Sequence, residues 1–271
     1  MQVPDFRTHR GQASGSWMSK SGHAPGFWTH QYDLPEGTGY LHGSPAHILS
    51  AAAIAAGVAL CLLCPRRVRE RMIRTLPILL LCMEIFKDLY LALTGHFDVG
   101  FLPLHLCSMG IPVFLLSVYG SRAKSFFSEI AMVLILPGAV AAMLFPDWNM
   151  YPVWNFMNLY SWVWHGILVL FPLLLLRSGA ARPALRGIWK PAVFLAAVVP
   201  PVYLFDRKFS CNYLFILWPP EGTPLTWMAK YLGVPGYLAG YAVLVAIVIT
   251  AVYGIYSAFG AAGSPAEQGE R

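Results

Sequence analysis

The sequence predicts an all-α membrane protein: a bundle of about seven transmembrane helices, N-terminus outside and C-terminus in the cytoplasm. Three observations carry this prediction. Only 12% of the 271 residues are charged and 57% are hydrophobic, against roughly 25% charged in a soluble domain. The apolar residues come in blocks near the ~20 that a helix needs to cross a bilayer. The basic residues are shared unequally between alternate connections, as they are when an orientation is fixed.

Taken in order, residues 1–43 are polar and rich in Gly and Ser, with His9, His23, His30 and His42 among aromatic residues. Such a composition buries too little to fold alone, so a flexible tail with interfacial Trp and Tyr is expected. Apolar spans follow at 44–64, 73–94, 101–119, 126–145, 155–176, 189–205 and 236–256. Charges, Gly or Pro separate them. The sixth has Pro191 near its start and Pro200-Pro201 near its end, and is expected to be broken or tilted. Residues 44–256 thus form one transmembrane domain, and 257–271 a short cytoplasmic tail.

Orientation follows from Lys and Arg. The connections after spans one, three and five hold eleven of them: Arg66, Arg67, Arg69, Arg71, Arg74, Arg122, Lys124, Arg177, Arg182, Arg186 and Lys190. The opposite connections hold only Arg207, Lys208 and Lys230. The richer side is cytoplasmic by the positive-inside rule. This placement also explains the net charge of +6 without a nucleic-acid partner.

The five cysteines lack metal-ligand spacing, and Cys61 and Cys64 lie in an apolar helix with no redox-fold context. No phosphate loop, zinc-protease motif or serine-nucleophile elbow is present. No cofactor and no resident metal are expected, and membrane lipids are the expected partners.

Ionisable residues inside spans mark function or an internal pair. Glu84, Lys87 and Asp88 lie three and four residues apart on one face of span two. They read either as a salt bridge holding the bundle in register or as a substrate-facing carboxylate tuned by the lysine. Span three opens Leu102-Pro103-Leu104-His105-Leu106-Cys107-Ser108, and proline suits a helix's first turn. Cys107 near such an N-terminus reads as a nucleophile, because that environment favours a thiolate, or as a packing cysteine. Two residues apart, His105 and Cys107 share one site only if the helix is distorted. In span five, Asn158 and His165 are two turns apart on one stripe, with His165 a general base or a satisfied bundle histidine. With His47 and Asn212, these side chains converge on the outer half, and Glu84 and His165 lie about 15 Å down by helix rise. The expectation is a buried polar chamber opening outward.

At these residues the sequence resembles the YwaF-like bacterial integral membrane proteins, grouped with the animal transmembrane protein 164 family. The resemblance rests on His47 in its Pro45-Ala46-His47-Ile48-Leu49 start, the Leu102–Ser108 string and Leu144-Phe145-Pro146-Asp147. It continues through His165-Gly166, Cys211-Asn212-Tyr213-Leu214-Phe215 and Pro220-Glu221-Gly222. It implies a seven-helix bundle and, for the animal branch, acyl transfer to ether lysophospholipids through a cysteine acyl-enzyme with a histidine partner. His165 matches the family's span-five histidine. In the animal branch the cysteine directly precedes the span-three histidine, where this chain has Leu104; its cysteine follows two residues after His105.

Two main functional readings follow. In one, a membrane enzyme uses Cys107 as nucleophile, His165 or His105 as general base, and Asn158 or Asn212 as a donor to the oxyanion. In the other, a non-enzymatic protein such as a transporter binds a lipid or small molecule through Glu84, Lys87, Asp88, His47 and His105. A third, metal-dependent reading would use His47, Asp88, His105 and His165. A bacterial plasma membrane is the expected location.

Overall fold

A computed structural model describes residues 26–262 except Glu36 and Arg182, and the regular structure among them is helical. The order is α1 (Pro45–Leu63), α2 (Arg66–Leu93), α3 (Gly110–Tyr119), α4 (Lys124–Ile130), a π-helical turn (Ala131–Ile135), α5 (Leu136–Leu144), α6 (Phe156–Ser178), α7 (Trp189–Phe209), α8 (Pro224–Leu232) and α9 (Tyr237–Ala262). Helix starts and stops follow local chemistry. Ser44 caps α1, its Oγ accepting from the His47 amide at 3.4 Å, with Pro45 at the first position. Asn155 caps α6 by accepting from the Met157 amide at 2.9 Å, and Gly179, at φ 73°, ends that helix in the left-handed conformation.

Burial sorts the helices into centre and rim. In the most apolar stretch of α6 61% of residues are buried, and 50% in the continuous rod Lys124–Leu144, against 6% in α1 and in α9. The two central rods make the core. All five residues of the π turn are buried, and Phe114 of α3 stacks on Phe171 of α6 with centroids 4.0 Å apart. A β-carbon at Gly166 would come within 2.9 Å of Ile54, so glycine lets α1 lie directly on α6. The rim helices turn Ile48, Leu49, Leu60, Val243 and Ile247 outward. Apolar surface on this scale is unfavourable in water and natural against lipid.

Five rods are long and apolar enough to cross a membrane: α1, Lys124–Leu144, α6, Leu185–Phe209 and α9. Two of the seven expected spans depart from that standard for identifiable reasons. Helix α2 has 28 residues, but Glu84, Lys87 and Asp88 interrupt its apolar run. The expected third span contains a helix of only 10 residues, because residues 102–109 fold as turns and bends. Pro103 therefore opens no helix. The irregular backbone has a use here: the Phe101 carbonyl accepts from Lys87 Nζ at 3.2 Å, satisfying a buried cation that a closed helical ladder would not reach. The expected break in the sixth span is absent, and α7 runs through Pro200-Pro201 to Phe209.

The two ends of the bundle differ. At one, Tyr119 donates to the Arg74 carbonyl at 2.7 Å and Lys190 pairs with Glu129 at 2.9 Å. Tyr253 donates there to the Gly187 carbonyl at 2.8 Å. At the other, residues 26–43, part of the expected flexible tail, form a strap. Its Phe27 and Thr29 carbonyls accept from the Phe156 amide at 2.8 Å and Asn155 Nδ2 at 2.8 Å. Its Trp28 carbonyl accepts from Tyr90 at 2.6 Å, and its Tyr40 amide donates to the Asn149 carbonyl at 2.9 Å. His9 and His23 lie outside the described residues, as do residues 263–271 of the expected tail.

Candidate functional site

Polar side chains gather inside the strap-covered end. On α2, Lys87 Nζ lies 2.8 Å from Glu84 Oε1 and 3.2 Å from Asp88 Oδ1. Tyr160 of α6 donates to the second Glu84 oxygen at 3.1 Å. One lysine thus serves two carboxylates, and Glu84 and Lys87 are both buried. The internal ion pair expected from their spacing is present, and it reaches further, because Lys87 is also within electrostatic range of His105.

His105 sits in the turns before α3 and His165 on α6, and the two rings are within electrostatic range of each other. His105 lies edge-on to Tyr213, centroids 4.8 Å apart. His165 stacks on Trp148 at 4.6 Å and 16°, and its Nδ1–H donates to the Ser161 carbonyl at 2.7 Å. That bond fixes the tautomer of the neutral ring: the proton is on Nδ1 and the lone pair on Nε2.

Cys107 is half-buried in the same turns. It lies before the first residue of α3, so the helix-terminal placement expected for it is not what the chain adopts; its carbonyl accepts from the Gly110 amide at 3.1 Å. Asp147, from the α5–α6 loop, and Tyr241 of α9 are within electrostatic range of its sulfur. Asp147 is accessible, yet set deeply enough that desolvation pushes its carboxyl up. The structure therefore groups His105 with His165 and Lys87, and Cys107 with Asp147 and Tyr241.

Five apolar rods with an internal polar cluster describe an integral membrane protein, and the TMEM164 family matches the chain over residues 42–254. The chain belongs to the TMEM164 family. The matched region takes in every side chain of the cluster. No curated protein and no solved structure matches the chain.

Within this TMEM164-family bundle, three expected site residues are occupied elsewhere. His47 accepts from the Gly43 amide at Nδ1 (3.0 Å) and donates from Nε2 to the Met143 carbonyl (2.9 Å), tying α1 to α5. Asn158 accepts from Tyr40 and donates to the Val153 carbonyl, both at 2.8 Å. Asn212 accepts from the Leu217 and Trp218 amides at 3.0 and 3.2 Å and donates to the Trp218 carbonyl at 2.7 Å. These bonds build the loops and engage one of the two amide N–H groups of each asparagine. Among the described residues no group of three or more His, Cys, Asp or Glu is placed to hold a metal. Sequence reasoning missed Asp147, Tyr160 and Tyr241. Asp147 stood in a recognised string and, as a charge bordering two apolar spans, was the one with a usable signal. The two tyrosines had none, since tyrosine is common along span ends.

Proposed function

We propose that this TMEM164-family protein is a membrane-embedded enzyme that transfers or hydrolyses phospholipid acyl groups at the polar cluster. The observation supporting it most is the His165 tautomer, set by Ser161, on a buried ring within electrostatic range of His105. In this reading Cys107 attacks an ester carbonyl while His165 or His105 accepts the thiol proton. The C–O ester bond breaks, and the proton returns to the departing alkoxide. A second hydroxyl, from a lysolipid or water, then attacks the thioester and releases the thiol. Removal of the thiol proton belongs with the attack. Lys87, held by Glu84 and Asp88, supplies the positive charge facing this region.

The reading includes seven crossings, with α2 and residues 102–119 adding to the five apolar rods, and places the cluster on the outer side of a bacterial plasma membrane. Turns at membrane depth are tolerable there because neighbouring protein groups bond their backbone, as Lys87 does the Phe101 carbonyl. Purified protein in vesicles containing a labelled diacyl phospholipid and an unlabelled lysophospholipid tests the chemistry. Label should move to the lysolipid or to free fatty acid, and Cys107→Ala and His165→Ala should each abolish it. Full activity in both variants would overturn the reading. A lipid-binding or transport role is the second reading, favoured by the Lys87 ion pair, which needs no reaction to explain it.

A further inference from the structure

A shallow groove of about 480 Å³ runs between α2 and α6 on the outside of the bundle. Leu79, Cys82, Met83 and Phe86 form one wall, and Phe156, Leu159, Tyr160 and Val163 the other. We propose that it holds one acyl chain of a membrane phospholipid, presented to the polar cluster from the side. This proposal deepens the acyl-transfer reading and rests on it for the reaction, though not for the binding.

Four features identify the occupant. The lining is apolar except for the Tyr160 hydroxyl and the Cys82 thiol, and that hydroxyl is committed to Glu84, so a polar ligand finds no partner there. The groove lies along α6, a rod of membrane-crossing length and composition, so hydrocarbon and not water faces it. From Leu79 to Phe86, and from Phe156 to Val163, each wall spans eight residues, about 10 Å at helix rise. That covers most of the ~15 Å of hydrocarbon in one leaflet. At its strap end stands an aromatic group: Trp28 lies 4.9 Å from Phe156 and 5.5 Å from Tyr90, centroid to centroid. Such residues collect at the level of ester carbonyls and headgroups. A chain in the groove therefore points its ester end at the strap and its tail toward Leu79. Tyr160 separates the groove from the cluster, with its ring in the wall and its hydroxyl on Glu84, which pairs with Lys87.

The test uses full-length protein reconstituted with a phosphatidylcholine whose acyl chain carries a diazirine. After photolysis, adducts are mapped by mass spectrometry. Residues 79–86 and 156–163 should carry several-fold more label than Val243 and Ile247 of α9, which are exposed outside this groove. Val163→Trp fills the groove and should bring its labelling down to the α9 level while leaving α9 unchanged. Leu79→Phe gives the same readout should Val163→Trp not fold. Cys107→Ala and His165→Ala should leave the labelling intact, so failure of the chemistry is distinguishable from failure of the groove. Equal labelling of groove and α9, or groove labelling indifferent to both filling variants, would overturn the proposal.

Discussion

Lys87 is the residue on which the polar end is balanced. Two carboxylates and a carbonyl converge on its ammonium, and removing one partner of a buried pair costs about 3–5 kcal/mol. Lys87→Met should therefore lower the melting temperature in detergent markedly. Adding Glu84→Gln should restore part of the loss, with Asp88 remaining unpaired; neutrality of all these changes would mean the side chains face water. The i,i+3 and i,i+4 spacing made this group readable from the sequence. What that spacing omitted was Tyr160, seventy-six positions away, which only helix packing brings to Glu84. His30 is a second case. Its ring is 1% exposed, stacked on His96 at 4.3 Å, and neither of its nitrogens has a partner. Burial and, secondarily, His96 hold its pKa down to about 4 from an ordinary 6.5, while Asp33 and Asp98 oppose the shift. The undocked strap therefore binds the proton more readily than the docked one. Docking should be fullest above pH 6.5 and weaken as pH falls toward 4. Hydrogen exchange of residues 27–34 against pH should show this rise in opening, and His30→Phe should flatten it; a pH-independent profile in the wild type would refute it.

At the scale of elements, long apolar rods were legible and irregular segments were not. The rods follow from uninterrupted hydropathy, which is why α1, α6 and α9 begin and end near their expected limits. Residues 102–109 read as helix because their apolar content and proline fit one. Nothing local announces that Lys87 and Tyr213 would draw off the carbonyls of Phe101 and Val99. The strap's bonds are equally hidden from local pattern, since they go to Tyr90, Asn149, Asn155 and Asn158, all distant in sequence. Gly39 shows how closely it fits, since a β-carbon there would stand 2.1 Å from the Asn149 carbonyl oxygen. Gly39→Ala should push the strap off the α5–α6 loop. Proteolysis or hydrogen exchange of residues 37–43 should then rise while α6 stays protected; unchanged strap protection would contradict the packing.

For the whole molecule, composition and basic-residue placement carry the architecture, and the cluster's depth depends on orientation. An alkaline phosphatase fusion after Gly100 should be active and one after Ser121 inactive, because the first connection belongs to the side poor in Lys and Arg. The reverse pattern would move the cluster to the cytoplasmic side. The sequence puts Cys107 and His165 at one level but does not reveal what surrounds them, His105 within electrostatic range of His165 and Asp147 within that of the sulfur. Those residues come from three segments of the chain, the turns at 102–109, the α5–α6 loop and α6, and only packing makes them converge. The central claim is that this convergence forms an acyl-transfer site. It is tested most directly by intact-protein mass spectrometry of the reconstituted protein, quenched in acid during turnover of a diacyl phospholipid. The prediction is one added acyl mass on Cys107, removed by neutral hydroxylamine, absent in Cys107→Ala and slow to form in His165→Ala. Turnover with no acyl mass on Cys107, or an acyl adduct that persists in Cys107→Ala, would contradict it.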